Sequence, residues 1–346
     1  MKKYVLIFIS IVALSFKARA QSGFENILLA DVNDSQKLLQ AYFAPGMEGF
    51  INGMNSGWYH TAKVHKKLGF DISIGASGAQ IPSEKDLINI SALGLSSSLT
   101  STATTTPSFS GSDNGASFQV NTAVQGQNVT ADFTAPGGVS LPANLVPAPA
   151  VQIGLGLPWK LEAMVRFVPN INFGEDQDES SLNMFGIGLK KEITDWFGPL
   201  DKTPLHISLL AAYSSMTVSY GIADITSGPI RTQNALAEFD LNAFTAQAIA
   251  SFNLPFISVY GGFGFNSGSS SFNMSGNYTG VFDTGFPAPN ATVTETLAVP
   301  SNLDFNSSGM TATIGARLSL GFFKIYGSYA LQEYNTANLG IAFSFR

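Results

Sequence analysis

Few residues in this chain could carry proton-transfer or metal chemistry. Three histidines, His60, His65 and His206, are spread over 346 residues, and cysteine is absent. None of the histidines stands in an HExxH pattern, and there is no G-x-S-x-G elbow and no P-loop. A hydrolase built on a serine and His206 is conceivable, but a histidine at the start of an alternating segment reads more simply as a satisfied interface residue. Without cysteine there is neither a disulfide framework nor a thiolate metal site, and no cofactor is expected. The remaining chemistry lies in charges at alternate positions: Asp71, Glu162, Arg166, Lys190, Glu192, His206, Arg317 and Lys324. Each stands on the polar side of an alternating run, toward one end of it. If these runs are strands, the charges share an interior, where opposite charges pair to offset lost hydration. A structural ion network is favoured over a selectivity ring on that ground.

The runs must therefore be placed. Ala337, Leu339, Ile341, Phe343 and Phe345 alternate with Asn338, Gly340, Ala342, Ser344 and Arg346, a period of two carried to the last residue. One face is apolar, as for a strand whose outer side touches lipid and whose inner side faces a lumen. The same rhythm recurs in Phe70–Ile74, Val151–Leu157, Leu161–Phe167, Phe185–Leu189, Leu205–Tyr213, Phe239–Phe252, Ile257–Phe265, Met310–Leu320 and Phe323–Leu331. Ten strands are expected, with long excursions at 77–148 and 266–307 whose hidden hairpins could raise the number to twelve or fourteen. Short turns near Pro158, Leu254 and Gly321 gather Trp159, Trp196, Phe197, Phe252, Phe256, Phe322, Phe323 and Phe345 at one end, as an interfacial aromatic girdle would. The fold class is thus all-β: a transmembrane antiparallel barrel over residues 68–346. Charged residues make up only 12% of the chain, about half the usual share in soluble domains.

Two segments precede the barrel. Lys2 and Lys3, an uncharged run from Tyr4 to Phe16, and Ala18-Arg19-Ala20 read as a signal peptide over residues 1–20, cleaved after Ala20. Its removal takes four basic residues and leaves 14 against 24 acidic ones, a net charge of −10 that speaks against nucleic-acid binding. Residues 21–67 form a prelude. A short helix capped by Asp34 or Ser35 is expected to run to Ala44, with Pro45 ending it. A glycine-rich run to Tyr59 follows. Its aromatics argue against a disordered leader, and Tyr42, Phe43, Phe50, Trp58 and Tyr59 are expected to fold into the barrel as a plug. Inward glycines, among them Gly186, Gly188, Gly262 and Gly340, leave room for one. Asn89-Ile90-Ser91 and Asn128-Val129-Thr130 match a glycosylation pattern but are read as loop composition.

The mature chain resembles an uncharacterised family of Gram-negative outer-membrane barrels. The likeness rests on Asn55-Ser56-Gly57-Trp58-Tyr59-His60-Thr61-Ala62-Lys63 ahead of Gly69-Phe70-Asp71. It rests also on Asp195-Trp196-Phe197-Gly198-Pro199-Leu200 ahead of Pro204-Leu205-His206-Ile207-Ser208. In layout the chain is more loosely similar to the long-chain fatty-acid transporters, whose hatch precedes the first strand. That family's Asn-Pro-Ala motif has its nearest counterpart in Tyr59-His60-Thr61-Ala62, which lacks the proline. The expectation is a non-enzymatic channel or transporter for small, hydrophobic molecules, gated by the plug. The alternative is a structural or surface-interaction barrel that uses its long extracellular loops. Expected partners are outer-membrane lipid and the barrel-assembly machinery, with hydrophobic small molecules as cargo.

Overall fold

A strand with Ile, Leu, Val or Phe on one face and Gly, Ser or Thr on the other needs an apolar medium outside and a filled interior within. A closed sheet in lipid supplies both and leaves no edge. The computed structural model describes residues 23–111, 114–173, 180–301 and 303–345. The signal segment 1–20 and the acidic loop 175–179 lie outside them. In chain order the strands are β1 (Phe70–Gln80), β2 (Leu87–Asn89), β3 (Leu99–Thr100), β4 (Thr105–Pro107), β5 (Ser117–Val124), β6 (Gln127–Thr134), β7 (Leu145–Leu157) and β8 (Leu161–Phe173). They continue as β9 (Ser180–Glu192), β10 (Leu205–Ile222), β11 (Ile230–Asn253), β12 (Ile257–Asp283), β13 (Thr292–Thr296), β14 (Leu303–Leu320), β15 (Phe323–Leu331) and β16 (Thr336–Phe345).

Among the described residues ten of these close a ring in the order β1-β7-β8-β9-β10-β11-β12-β14-β15-β16, every neighbour antiparallel. The last strand shuts it on the first, Phe70 facing Phe345, Ile72 facing Phe343 and Ile74 facing Ile341. The outer wall exposes Ile153, Val165, Ile187, Leu209, Phe263 and Ile314, a belt that water would not tolerate and lipid accepts. At the short-turn lip Trp159, Trp196, Phe256 and Phe322 are 82, 66, 72 and 61% exposed, the girdle that the turn positions predict.

Both excursions are shorter than the sequence suggests. β1 runs on to Gln80 and β7 starts at Leu145, while β12 reaches Asp283 and β14 starts at Leu303. These strands overhang the lipid belt. Beyond it the outer face has no lipid to meet, so a stretch such as Ser267–Ser271 loses the apolar alternation and still pairs through its backbone. The hairpin β5–β6 stands outside the ring and touches it at Asp283 and Thr130, so the ring keeps ten strands.

The helix departs most from expectation. α1 runs from Val32 to Asn55, straight through Pro45 and the glycines, and its cap is Asp31, whose carboxylate accepts from the Asn33 and Asp34 amides. A proline removes one helical hydrogen bond. Here tight packing against the barrel wall outweighs that loss: Gly46, Gly49 and Gly53 form one face, and a Cβ on any of them would press on Phe109, Val146 or Ala148. α1 touches β1 and β7 on one side of the ring and β10, β11, β12 and β14 on the other, so it lies within the ring.

Candidate functional site

From Asn55 onward the chain descends through the ring to the short-turn lip, and each residue meets a different part of the wall. Trp58 lies over Gly186 and Gly188 of β9, where a Cβ would come within 3.1 Å of its ring. Its indole N–H donates to the Met54 carbonyl at 3.2 Å. Tyr59 covers Gly262 of β12, sets its ring edge-on to Tyr260 at 5.8 Å and donates to Gln247 Oε1 at 3.1 Å. Thr61 bonds Ser251 and Asn253, and Ser208 donates to the Ala62 carbonyl.

The inward charges fasten this descent. Arg166 donates to the Met54 and Ser56 carbonyls at 3.2 and 2.9 Å, bonds Gln152 Oε1 and lies 4.0 Å over the Trp58 ring. It thereby caps the end of α1, where free carbonyls attract a cation. Glu162 is held by Lys190 at 2.8 Å and by His65 Nδ1 at 2.9 Å, and it accepts the His65 amide at 3.0 Å. Glu192 takes the Val64 amide at 3.0 Å on one oxygen and His206 Nδ1 at 2.8 Å on the other. Asp71 meets His60 Nε2 at 3.0 Å. Arg317 donates to His60 Nδ1 at 3.1 Å and to Ser258. Because Nδ1 accepts, the His60 proton sits on Nε2, and the ring is a neutral donor to Asp71. It stacks on Tyr326, centroids 4.8 Å apart.

Of the eight charges singled out by spacing, seven reach the prelude directly or bond a residue that does. Lys324 does not: it stands at the lip and donates to the Gly321 carbonyl of its own turn. Spacing alone missed His60 and His65 as partners, together with Gln152, Gln247, Tyr260 and Tyr326. The last four occupy inward positions of β7, β11, β12 and β15, and Tyr326 fills the space above Gly75 and Gly340.

The opposite end is apolar. Phe24, Phe43, Phe239 and Phe272 interlock, with Phe43 5.1 Å from Phe239 and 5.2 Å from Phe272. Around them one core joins the 3₁₀ turn Phe24–Leu29, α1 from Leu38 to Met54, the β5–β6 hairpin and the overhanging strands. Tyr42 and Phe43 belong to this core and Trp58 and Tyr59 to the lower one, while Phe50 lies half-buried between the upper core and a third cluster of Ala79, Ile81, Val146 and Tyr334. Outside, Lys85 bridges Glu48 at 2.6 Å and Glu333 at 2.7 Å, and Tyr334 donates to Glu48. Burial pulls the Lys85 ammonium down, but the Glu333 and Glu48 carboxylates outweigh it and hold it above the usual lysine range. A void of about 20 Å³ beside Gly57 and Arg166 is the space left near the end of α1.

Comparison with known proteins adds a family and little else. The family of unknown function DUF6588 matches residues 1–345. No functionally curated protein matches the sequence. Among solved structures, Ail, the attachment invasion locus protein of Yersinia pestis, is 10% identical with a TM-score of 0.26, covering 80% of this chain and 99% of its own. The translocator domain of the autotransporter NalP from Neisseria meningitidis is 11% identical with a TM-score of 0.31, covering 81% and 90%. The Escherichia coli outer-membrane protease OmpT is 10% identical with a TM-score of 0.32, covering 80% and 97%. Likeness at this level bears on neither activity nor partner, and the fold rests on the ring itself.

Proposed function

The chain belongs to DUF6588, a family without an assigned function, and from its geometry we propose an outer-membrane barrel that is closed by its N-terminal segment and works through its extracellular cap. The observation that carries this reading is the upper core, which fuses the segment to the loops. Phe24, Ile27, Leu28, Leu29, Leu38, Leu39, Tyr42, Phe43, Met47, Ile51 and Met54 are all buried. At about 1.5–3 kcal/mol each, withdrawing them forfeits roughly 15–30 kcal/mol of gross burial. A ligand that swings a two-state equilibrium from closed to open supplies about 5.5 kcal/mol. Expelling the whole segment is therefore out of reach for a gating ligand, and a plug that leaves the barrel is not the favoured device. On the cap, a groove of about 660 Å³ lined by Asn26, Ser101, Gln119 and Asp132 together with Phe118, Phe133 and Pro229 offers both polar and apolar groups to the outside.

Transport in the manner of the fatty-acid transporters is the second reading, and one contrast favours it: the lower half of the segment is held mostly by polar contacts, which can exchange for water. Each histidine bonds a carboxylate of the wall, and no reaction is assigned. Purified protein in planar bilayers at neutral pH decides between the two. The closed reading expects no sustained conductance steps; stable open steps of the native chain would establish the channel.

A further inference from the structure

All three histidines sit in the lower half of the segment or against it, and each faces a carboxylate: His60 with Asp71, His65 with Glu162, His206 with Glu192. Their surroundings differ in sign. His65 and His206 bond carboxylates through Nδ1. His60 is placed between an anion and a cation, with Asp71 of β1 on Nε2 and the Arg317 guanidinium of β14 on Nδ1. Lys190 of β9 adds a second positive charge in its surroundings, and Tyr326 of β15 covers its ring with a neutral face. Asp71 in turn stands in the field of His65 and Glu162.

We propose that His60 makes the lower end of the segment an acid-released latch. A proton on Nδ1 turns the bond from Arg317 into a contact between two donors and two positive charges about 3 Å apart, an arrangement that low-dielectric surroundings penalise heavily. Arg317 has little to fall back on. Among the described residues its Nε has no hydrogen-bond partner, and Ser258 holds only one terminal nitrogen. Residues 58–62 then loosen from β11, β12, β14 and β15, and with them Trp58 leaves Gly186 and Gly188 of β9 and the Arg166 guanidinium of β8, while Val64 and His65 stay fastened to Glu192 and Glu162. The upper apolar core contains no histidine and keeps its packing. Acid thus opens the lower vestibule without unfolding the cap.

Trp58 reports this directly. Trp159 and Trp196 are exposed at the lip, so a chain carrying W159F and W196F leaves one indole, buried inside the ring. Its emission and acrylamide quenching are followed in micelles from about pH 7.5 down to about pH 4, because burial and the neighbouring Arg317 and Lys190 cations make His60 take its proton at a more acid pH than a free histidine. The latch predicts a reversible red shift and a several-fold rise in quenching as pH falls. His60→Gln in the same background reproduces the neutral ring: its amide donates to Asp71, its oxygen accepts from Arg317, and it takes up no proton. That variant is expected to stay blue-shifted across the range. Arg317→Gln removes the opposing cation and is expected to abolish the transition even where His60→Gln fails to assemble. An unchanged spectrum in the parent, or the same transition in a folded variant of either kind, overturns the proposal.

Discussion

Gly262 and Tyr59 show what a single inward glycine does in this barrel. A Cβ on Gly262 would stand 2.2 Å from the Tyr59 hydroxyl and 2.8 Å from Ile249, so the missing methyl is the seat of the phenol. Gly262→Ala should destabilise the folded form by about 1–3 kcal/mol through overpacking. Tyr59→Phe removes the closest atom and should restore part of that loss. Heat-modifiable gel mobility of the two single variants and the double variant checks this, and strictly additive losses would show that the two residues do not meet. That these glycines face inward was legible from alternation alone. Their occupants were not, because Trp58 and Tyr59 lie in a segment with no period linking them to particular strands. The charges follow the same logic. Alternation picked out Glu162 and Glu192, whereas their bonds to the His65 and Val64 amides span 97 and 128 residues. Lys324 shares the inward parity but is close enough to Gly321 to satisfy its own turn.

Among the elements, strands are legible in the sequence wherever lipid imposes alternation and obscure wherever it does not. The upper parts of β12 and β14 carry Ser, Asn and Gly and read as loop, because their outer face meets no lipid. The sequence stops the helix at Pro45 for a related reason. Proline and glycine are helix breakers in an isolated peptide, but α1 is held from all sides, and its glycines admit the wall. The terminal strand offers the sharpest test of facing. Ile341 pairs with Ile74 and Ile325 on the outer side, so Ile341→Arg should cost about 2–4 kcal/mol in a lipid environment. Ser344 has inward parity at the lip, and Ser344→Arg should cost far less. Refolding equilibria into lipid vesicles give both values, and the reverse order would mean that the faces are inverted.

The molecule as a whole is a barrel threaded by residues 32–69. The chain is first described at Gly23 beside the overhanging strands, passes down through the ring as α1 and the residues after it, and becomes wall at Phe70. Apolar side chains pack the segment against the upper end of the ring, and hydrogen bonds, ion pairs and the small cluster around Trp58 and Tyr59 hold it at the lower end. The function proposed above makes the first a fixed cap and the second a responsive seal. In the threaded barrel α1 lies against the inner wall, and the absence of cysteine makes that position directly measurable. A Cβ on Gly53 would lie 3.1 Å from the Ala148 Cβ of β7, a few tenths of an ångström inside the roughly 3.5–4.5 Å that a disulfide spans, so a small outward shift of α1 lets the two sulfurs join. Paired substitutions Gly53→Cys and Ala148→Cys, oxidised in intact outer membranes, should cross-link in nearly every folded molecule and shift its mobility on a non-reducing gel. A folded barrel in which both cysteines remain free to a maleimide reagent would contradict the threaded structure.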